Sequence, residues 1–129
     1  FFARDLADEF AWRVKQSGQL ASKMRLVSAP WLGLLENDVW LANARHANTM
    51  AKRLADGLAG LPGLRLMAPV EANGVFVEMP PAMQAALRAE GWLFYTFVGE
   101  TGCRLMCAWD TEPATVDRRV ADARAAAER

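Results

Sequence analysis

The spacing of hydrophobic positions predicts an alternation of helices and short strands along this chain. Helical spacing covers five segments: residues 5–16, residues 19–35 with a break, a kink or the start of a new turn at Pro30, the segment from Asn37 to Gly60, the segment from Pro80 to Gly91, and the segment after Asp110. Four runs rich in β-formers predict strands at residues 64–67, 74–79, 92–98 and 103–109. This order predicts an α+β fold, with a small, mainly antiparallel sheet and helices on one side.

Capping residues and apolar stripes refine these predictions. Gly18 weakens or ends the first helix, Asn37 and Asp38 are candidate N-caps of the third, and Thr111 is the predicted cap of the last. The predicted buried face of the third helix consists of Trp40, Ala44, Ala47, Ala51, Leu54 and Leu58. On the last predicted strand, Cys103, Leu105, Cys107 and Trp109 share one face, and Arg104, Met106 and Ala108 share the other.

The apolar residues divide the chain into a helical interface segment at residues 1–36 and a small α+β domain at residues 37–129. Residues 19–35 are apolar on nearly every face of a helix. So small a sheet cannot cover such a segment, so we expect it to pack against a large domain or a second subunit. The chain also opens with Phe1-Phe2 and no methionine, which is typical of a sequence that starts in mid-protein.

Composition excludes several classes of protein. The 15 basic and 15 acidic residues balance, which argues against a nucleic-acid interface, and no apolar run is long enough to span a bilayer. The spacing of Cys103 and Cys107 fits neither a redox pair nor a zinc site. They are predicted to be buried free thiols in a reducing, cytoplasmic setting. His46 is predicted to be a locally hydrogen-bonded surface or interface residue, and no metal site is expected.

A cationic turn lies between the first two predicted helices. Lys15, Lys23 and Arg25 carry its charge, and no acidic residue occurs between Glu9 and Glu36. Three cations on a glycine-interrupted turn suit a phosphate or a carboxylate. A solvated basic loop is the alternative interpretation.

Arg104 is the outstanding polar residue of the predicted strands. It lies beside a hairpin turn on an otherwise apolar strand. Its planar guanidinium group can bind a carboxylate through two parallel hydrogen bonds. The residues alone leave two interpretations. Arg104 either binds the carboxylate of a substrate or pairs with an acid of this chain, Asp110 or Glu100.

Several segments of the sequence, in order, resemble the C-terminal part of low-specificity threonine aldolases, which are pyridoxal-phosphate enzymes of fold type I. The matching motifs are FAWRVKQSG at 10–18, SKMR at 22–25, RHAN at 45–48, PVEAN at 69–73 with VFV at 75–77, and RLM at 104–106 with WDT at 109–111. The resemblance implies that the chain is the C-terminal small domain of a longer enzyme. It also implies that this enzyme is a homodimer or homotetramer. The implied reaction cleaves threonine-like β-hydroxy-α-amino acids to glycine and an aldehyde, with pyridoxal phosphate as the electron sink.

The resemblance also implies roles for individual residues. The arginine matching Arg104 holds the substrate carboxylate. The turn that carries Lys15, Lys23 and Arg25 reaches the cofactor-phosphate region of a neighbouring subunit. The Schiff-base lysine lies upstream of the first residue, because Lys15 and Lys23 match other positions and Lys52 lies on a polar helix face. The chain by itself is therefore expected to be inactive.

Two other hypotheses remain open at this point. The first is a non-catalytic α+β module that binds a small anionic ligand or a protein partner. The second keeps the superfamily but changes the reaction to a β-elimination or a transamination, because a fold does not fix chemistry. An open cleft at Arg104 without an internal acid would favour the aldolase-like hypothesis over the module.

Overall fold

The computed structural model describes residues 4–128, apart from the side chain of Leu6. Phe1 and Phe2, from which a start in mid-protein was predicted, lie outside the described residues, as does the side chain of Leu6 in the first predicted helix. The chain divides into two compact units between Val39 and Trp40.

The first unit is made of short helices. A 3₁₀ turn at Asp5–Ala7 precedes α1 (Phe10–Gln16), and α2 (Met24–Leu35) is followed by a 3₁₀ turn at Glu36–Asp38. Both helices are shorter than predicted. Each begins late because the residue before it, Glu9 before α1 and Lys23 before α2, adopts a left-handed backbone conformation.

Two predictions about helix ends in this unit have different outcomes. Gly18 ends α1 as predicted: at φ +69° it lets Gln19 N–H donate to the Val14 carbonyl and its own N–H donate to the Lys15 carbonyl. Of the alternatives expected at Pro30, the break is wrong, because α2 runs through it. Proline removes only one interior hydrogen bond, and on an exposed helix water can satisfy the carbonyl that is left.

Large apolar side chains of the first unit are exposed. None of its described side chains, from Arg4 to Val39, is buried, and only Val14 is half-buried. The exposed set is Phe10, Trp12, Leu20, Met24, Leu26, Val27, Trp31, Leu32, Leu34, Leu35 and Val39. We call the part of this set on α2 the α2 apolar surface: Met24, Leu26, Val27, Trp31, Leu32, Leu34 and Leu35. This unit buries too little apolar area to form a core of its own.

The second unit contains a four-stranded antiparallel sheet in the order β1-β2-β4-β3. The strands are β1 (Arg65–Leu66), β2 (Gly74–Glu78), β3 (Tyr95–Val98) and β4 (Gly102–Met106). This confirms the predicted α+β class and the mainly antiparallel sheet. β4 lies between β2 and β3, so Arg104 has Phe76 opposite it on one side and Tyr95 on the other.

Helices α3 (Val39–Leu58), α4 (Pro81–Ala89) and α5 (Pro113–Ala127) contribute to one core with one face of this sheet. The core residues from the strands alternate along the chain, as Val75 with Val77 and Cys103 with Leu105. The buried residues of the three helices are Ala47, Met50, Ala51, Leu54, Ala55, Leu58, Met83, Gln84, Leu87, Val116 and Ala123.

Some predicted core and strand positions are wrong. Trp40 and Ala44 are exposed at the start of α3, and Met50 and Ala55 join the core instead. Trp109 is also exposed, because β4 ends at Met106 and the alternation of faces stops there. The run at 92–98 pairs only from Tyr95 onward.

Three predicted N-caps are also wrong. Asn37 and Asp38 adopt positive φ values of 53° and 57° in the turn before α3, outside the extended region that an N-cap residue normally occupies. Glu112, not Thr111, precedes α5. The hydroxyl of Thr111 instead accepts a hydrogen bond from the Ala108 N–H at 2.7 Å, which closes the turn after β4.

Candidate carboxylate-binding site

Arg104 lies in the middle of β4, on the face of the sheet opposite the core. Its neighbours along the chain, Cys103 and Leu105, point into the core, so the strand alternation directs Arg104 outward. Its side chain is exposed. The cross-strand register places aromatic residues on both sides of it, Phe76 on β2 and Tyr95 on β3.

The ring of one aromatic neighbour, Tyr95, lies against the Arg104 guanidinium at the sheet surface. The central carbon of the Arg104 guanidinium lies 5.6 Å from the centroid of the Tyr95 ring. The ring of Phe76 meets the ring of Phe97 edge to face at 5.4 Å between centroids. A guanidinium over an aromatic face keeps its in-plane N–H donors free for a bidentate acceptor.

No acidic residue of the described chain pairs with Arg104. The alternative predicted from the sequence, an ion pair with Glu100 or Asp110, is not formed in residues 4–128. The described ion pairs engage other basic residues, including Arg53 with Asp117 and Arg65 with Glu78. Arg104 is therefore available to an acceptor that comes from outside the second unit.

A cleft of about 480 Å³ opens beside Arg104. Its lining combines basic, aromatic and aliphatic side chains and contains no acid: Arg88, Leu93, Phe94, Tyr95, Arg104, Met106 and Arg119. We call it the arginine cleft. It lies where residues 92–94 approach the sheet without pairing with the end of β4. Its volume lies in the range typical of small-molecule sites.

Arg119 is the most desolvated of the cleft arginines. Its guanidinium carbon lies 4.4 Å from the centroid of the Trp92 ring, and its buried Nε has no hydrogen-bond partner among the described residues. Burial lowers the pKa of Arg119, and burial raises the pKa of the nearby Cys107 thiol. Arg119 lies on the same face of α5 as the buried residues Val116 and Ala123. Its side chain is therefore directed toward the sheet.

A buried polar network holds the β3 edge of the cleft. The Nε2 of Gln84, which is 3% exposed, donates to the carbonyls of Met79 and Glu100 at 3.1 and 2.6 Å. The Thr96 hydroxyl donates to the Gln84 Oε1 at 2.7 Å and accepts a bond from Arg88 at 3.0 Å. This network fixes β3 relative to α4 and so fixes the orientation of Tyr95.

The predicted cationic turn belongs to the first unit. Lys15 lies in the last turn of α1, Lys23 immediately precedes α2, and Arg25 lies in its first turn. All three side chains are exposed, and within residues 4–128 none of them forms an ion pair. Lys52, in the second unit, pairs with Asp56 across 3.4 Å on α3.

The remaining candidates have structural surroundings. His46 is half-buried, and its Nε2 lies 2.8 Å from the carbonyl of Thr111, so its hydrogen bond is long-range and not local as predicted. Cys103 and Cys107 are buried and free, as predicted. Among the described residues no group of three or more His, Cys, Asp or Glu side chains could hold a metal ion. No helix in the described part of the chain is long and apolar enough to cross a membrane.

Sequence reasoning missed most of the cleft. Tyr95 and Phe76 are set beside Arg104 by strand register, which the sequence does not reveal. The sequence contains one indication of Arg119, because this charged residue falls within the apolar stripe of α5, between Val116 and Ala123. A charged residue in a buried stripe needs a partner or a function.

Comparisons with known proteins show which sequences this chain is similar to. The chain is 57% identical to the low specificity L-threonine aldolase of Pseudomonas sp. (strain NCIMB 10558) over 97% of its length, and 55% identical to that of Pseudomonas aeruginosa over 96%. The resemblance to threonine aldolases is thereby confirmed. The chain spans 36% of the length of each of these relatives.

Solved structures support the same relationship. The threonine aldolase of Leishmania major matches 88% of this chain with a TM-score of 0.79 and 28% sequence identity, over 34% of its own chain. The aminotransferase TlmJ of Streptoalloteichus hindustanus matches 65% of the chain, and 31% of its own, with a TM-score of 0.52 and 20% identity, which shows a shared fold only. No protein-family profile matches the chain.

Proposed function

We propose that this chain is the C-terminal small domain of a longer pyridoxal-phosphate-dependent lyase of the threonine aldolase type. In this proposal the whole enzyme cleaves L-threonine or L-allo-threonine and similar β-hydroxy-α-amino acids to glycine and an aldehyde. The observation that carries it is Arg104, exposed at the sheet surface between two aromatic residues with no acid of the described chain as a partner. The similarity to threonine aldolases supplies the class of reaction.

Arg104 binds the α-carboxylate of the amino acid in this proposal. Two parallel N–H···O bonds from its planar fork would fix both the position and the rotation of the carboxylate. The Tyr95 ring lies against one face of the guanidinium and leaves its in-plane donors free for the carboxylate. A carboxylate fixed in this way leaves the Cα substituents in a defined direction relative to the rest of the site.

Part of the cofactor site fits the residues present. Bound pyridoxal phosphate supplies an electron sink for negative charge that develops at the substrate Cα. Lys15, Lys23 and Arg25 carry unpaired charge of the sign that a phosphate requires, and we assign them to that group in a neighbouring subunit. In this proposal the lysine that carries the cofactor lies outside this chain and the isolated chain is inactive, in keeping with the lining of the arginine cleft, which includes no lysine of the described residues.

The exposed apolar residues of the first unit indicate the partners of the domain. We assign the α2 apolar surface to contacts with the large domain of the same enzyme and with a second subunit, in a cytoplasmic homodimer or homotetramer. Trp31 and Leu32 on this surface are 63% and 67% exposed. Contiguous exposed apolar residues of this kind typically mark an interface.

The mass of the material containing this chain, after incubation with pyridoxal phosphate and borohydride reduction, tests the proposal. A mass well above that of residues 1–129, with one reduced cofactor attached, is the expected result, and a portion of the material kept unreduced should release acetaldehyde from threonine. A longer protein that forms no adduct and releases no acetaldehyde would contradict the proposal, whereas residues 1–129 alone are expected to form no adduct. In the longer enzyme, Arg104→Gln should raise the KM for threonine by about 10- to 100-fold, since bonds to charged groups contribute about 1.5–3 kcal/mol.

Two controls make the Arg104 test specific. Arg118→Gln removes an arginine that pairs with Asp122 and does not line the arginine cleft, so its kinetics should match those of the unmodified enzyme. The affinity for the cofactor should be unchanged in Arg104→Gln. Equal losses of substrate and cofactor affinity would contradict the carboxylate-binding role and leave the lyase assignment intact.

A further inference from the structure

The arginine cleft contains more positive charge than one carboxylate requires. Arg88, Arg104 and Arg119 line it together, with no Asp or Glu among the lining residues. In the described part of the chain none of these arginines forms an ion pair. The chain as a whole has equal numbers of acidic and basic residues, so this imbalance is local.

Arg119 makes this imbalance unfavourable without a ligand. Its guanidinium stacks on Trp92, and its buried Nε–H finds no acceptor in the described residues. A guanidinium does not lose its charge at ordinary pH, so a partly desolvated one is stabilised by an anion. Aromatic stacking supplies only part of that stabilisation, because the ring offers no acceptor to the in-plane donors.

The apolar lining of the cleft separates its charged groups. Leu93, Phe94 and Met106 provide aliphatic and aromatic contacts in the same cavity as the arginines. Arg88 is positioned by its hydrogen bond to Thr96 and by the Phe94 ring, 4.6 Å from the guanidinium carbon. A ligand that matches this lining has an acidic group at each end and a short apolar segment between them.

We propose that the arginine cleft binds a small molecule with two acidic groups, one held by Arg104 and the other by Arg119 with Arg88. The inference rests on the proposed carboxylate-binding role of Arg104. In the lyase, it defines the preferred substrate class as β-hydroxy-α-amino acids whose side chain ends in a second carboxylate. The second acidic group neutralises one of the two positive charges that the α-carboxylate leaves unpaired.

Binding of matched acids to the ¹⁵N-labelled chain of residues 1–129 tests this inference by NMR. Glutarate and butyrate have similar apolar segments and differ in the second carboxylate. Glutarate should bind about ten-fold more tightly, since a hydrogen bond to a charged, partly desolvated group such as Arg119 contributes about this factor. Amide signals of Tyr95 and Met106 and the Nε–H signal of Arg119 should shift. Equal affinities for the two acids would overturn the inference.

Variants separate the inference from the proposed function. Arg119→Gln should reduce the preference for glutarate to about two-fold or less while butyrate binding persists, and Arg118→Gln should leave both unchanged. If Arg119→Gln does not fold, Arg88→Gln and Arg119→Lys provide the same test and should each lower the preference.

The remaining outcomes are also decisive. A preference that survives in both Arg88→Gln and the Arg119 variants overturns the second acidic subsite and leaves the Arg104 role intact. Failure of the unmodified chain to bind either acid overturns both the inference and the proposed role of Arg104. Shifts confined to residues 15–25 would place the acid-binding surface on the cationic turn, which also overturns the inference.

Discussion

The guanidinium carbon of Arg104 lies 5.6 Å from the ring centroid of Tyr95, its direct cross-strand partner on β3. Both residues are on the open face of the sheet, and Tyr95 is 70% exposed. The pair is therefore a feature of the surface, with no role in the core. It defines the orientation in which the arginine presents its donors to a ligand.

The stacking of Tyr95 on Arg104 should influence carboxylate binding. In the longer enzyme, Tyr95→Leu is expected to raise the KM for threonine about two- to five-fold, because an exposed cation–π contact contributes about 0.5–1 kcal/mol. Tyr95→Phe keeps the ring and should retain nearly the original KM. Steady-state kinetics on the two variants would decide the point, and equal KM values for both would argue against the contact.

The Gln84 network should be a major determinant of stability at the cleft edge. Gln84→Leu keeps the volume but leaves the carbonyls of Met79 and Glu100 and the hydroxyl of Thr96 without this partner. A loss of about 2–4 kcal/mol in the free energy of unfolding is expected, since each buried unsatisfied group costs about 1–3 kcal/mol. Urea unfolding measures it. Gln16→Leu, at an exposed site on α1, should change stability by less than about 0.5 kcal/mol.

The close approach of α3 and α5 should make Gly57 intolerant of any side chain. A Cβ at this position would lie 2.5 Å from the Cγ2 of Val120. Gly57→Ala is therefore expected to destabilise the domain by about 1–3 kcal/mol in thermal or urea unfolding. Gly33→Ala is the matched control on α2, because nothing lies within 4 Å of its Cβ. It should be neutral or raise stability by up to about 1 kcal/mol.

The ion pair between Arg53 and Asp117 should make the free energy of unfolding decrease at acidic pH. The two side chains form parallel hydrogen bonds of 2.7 Å between α3 and α5, and Arg53 lowers the pKa of Asp117, mainly through these bonds. Because the folded-state pKa is depressed, the stabilisation is present above the unfolded pKa of about 3.9 and is lost as the pH falls through the folded value.

Urea unfolding as a function of pH tests this pair. Asp117→Asn should lower the urea concentration at the midpoint of unfolding at pH 7. The difference between the midpoints of the variant and the unmodified chain should become smaller below about pH 4. A difference that stays constant down to pH 2 would contradict the assignment. Asp56→Asn removes an acid from the exposed pair with Lys52 at 3.4 Å, and should shift the midpoint at pH 7 by less.

The α2 apolar surface should drive association of the isolated chain. Sedimentation at increasing concentration is expected to show self-association, which Trp31→Ser combined with Leu32→Gln should reduce together with the binding of an apolar dye. Leu93→Gln is the control, because Leu93 is 88% exposed but lies in the second unit. A monomer at high concentration without dye binding would exclude this surface as an interface.

The sequence by itself determined the class of the fold and the main candidate residue. Alternating and helical periodicities are local properties, so the strands, the helices α3 to α5 and most of the core followed from them. Leu54, Cys103 and Leu105 are examples, all fully or nearly fully buried. Gly18 ended α1 because its φ of +69° suits a residue without a side chain, which is again a local property. The motifs that resemble threonine aldolases were likewise readable in order along the chain.

Tertiary structure alone decided which residues meet. β4 inserts between β2 and β3, and this long-range pairing sets Tyr95 and Phe76 beside Arg104, which no local pattern encodes. The packing of α5 turns Arg119 toward the cleft, and the end of pairing at Met106 exposes Trp109 against the predicted alternation. Secondary structure depends on neighbours in sequence, whereas a binding site depends on the register and packing of elements that are distant along the chain.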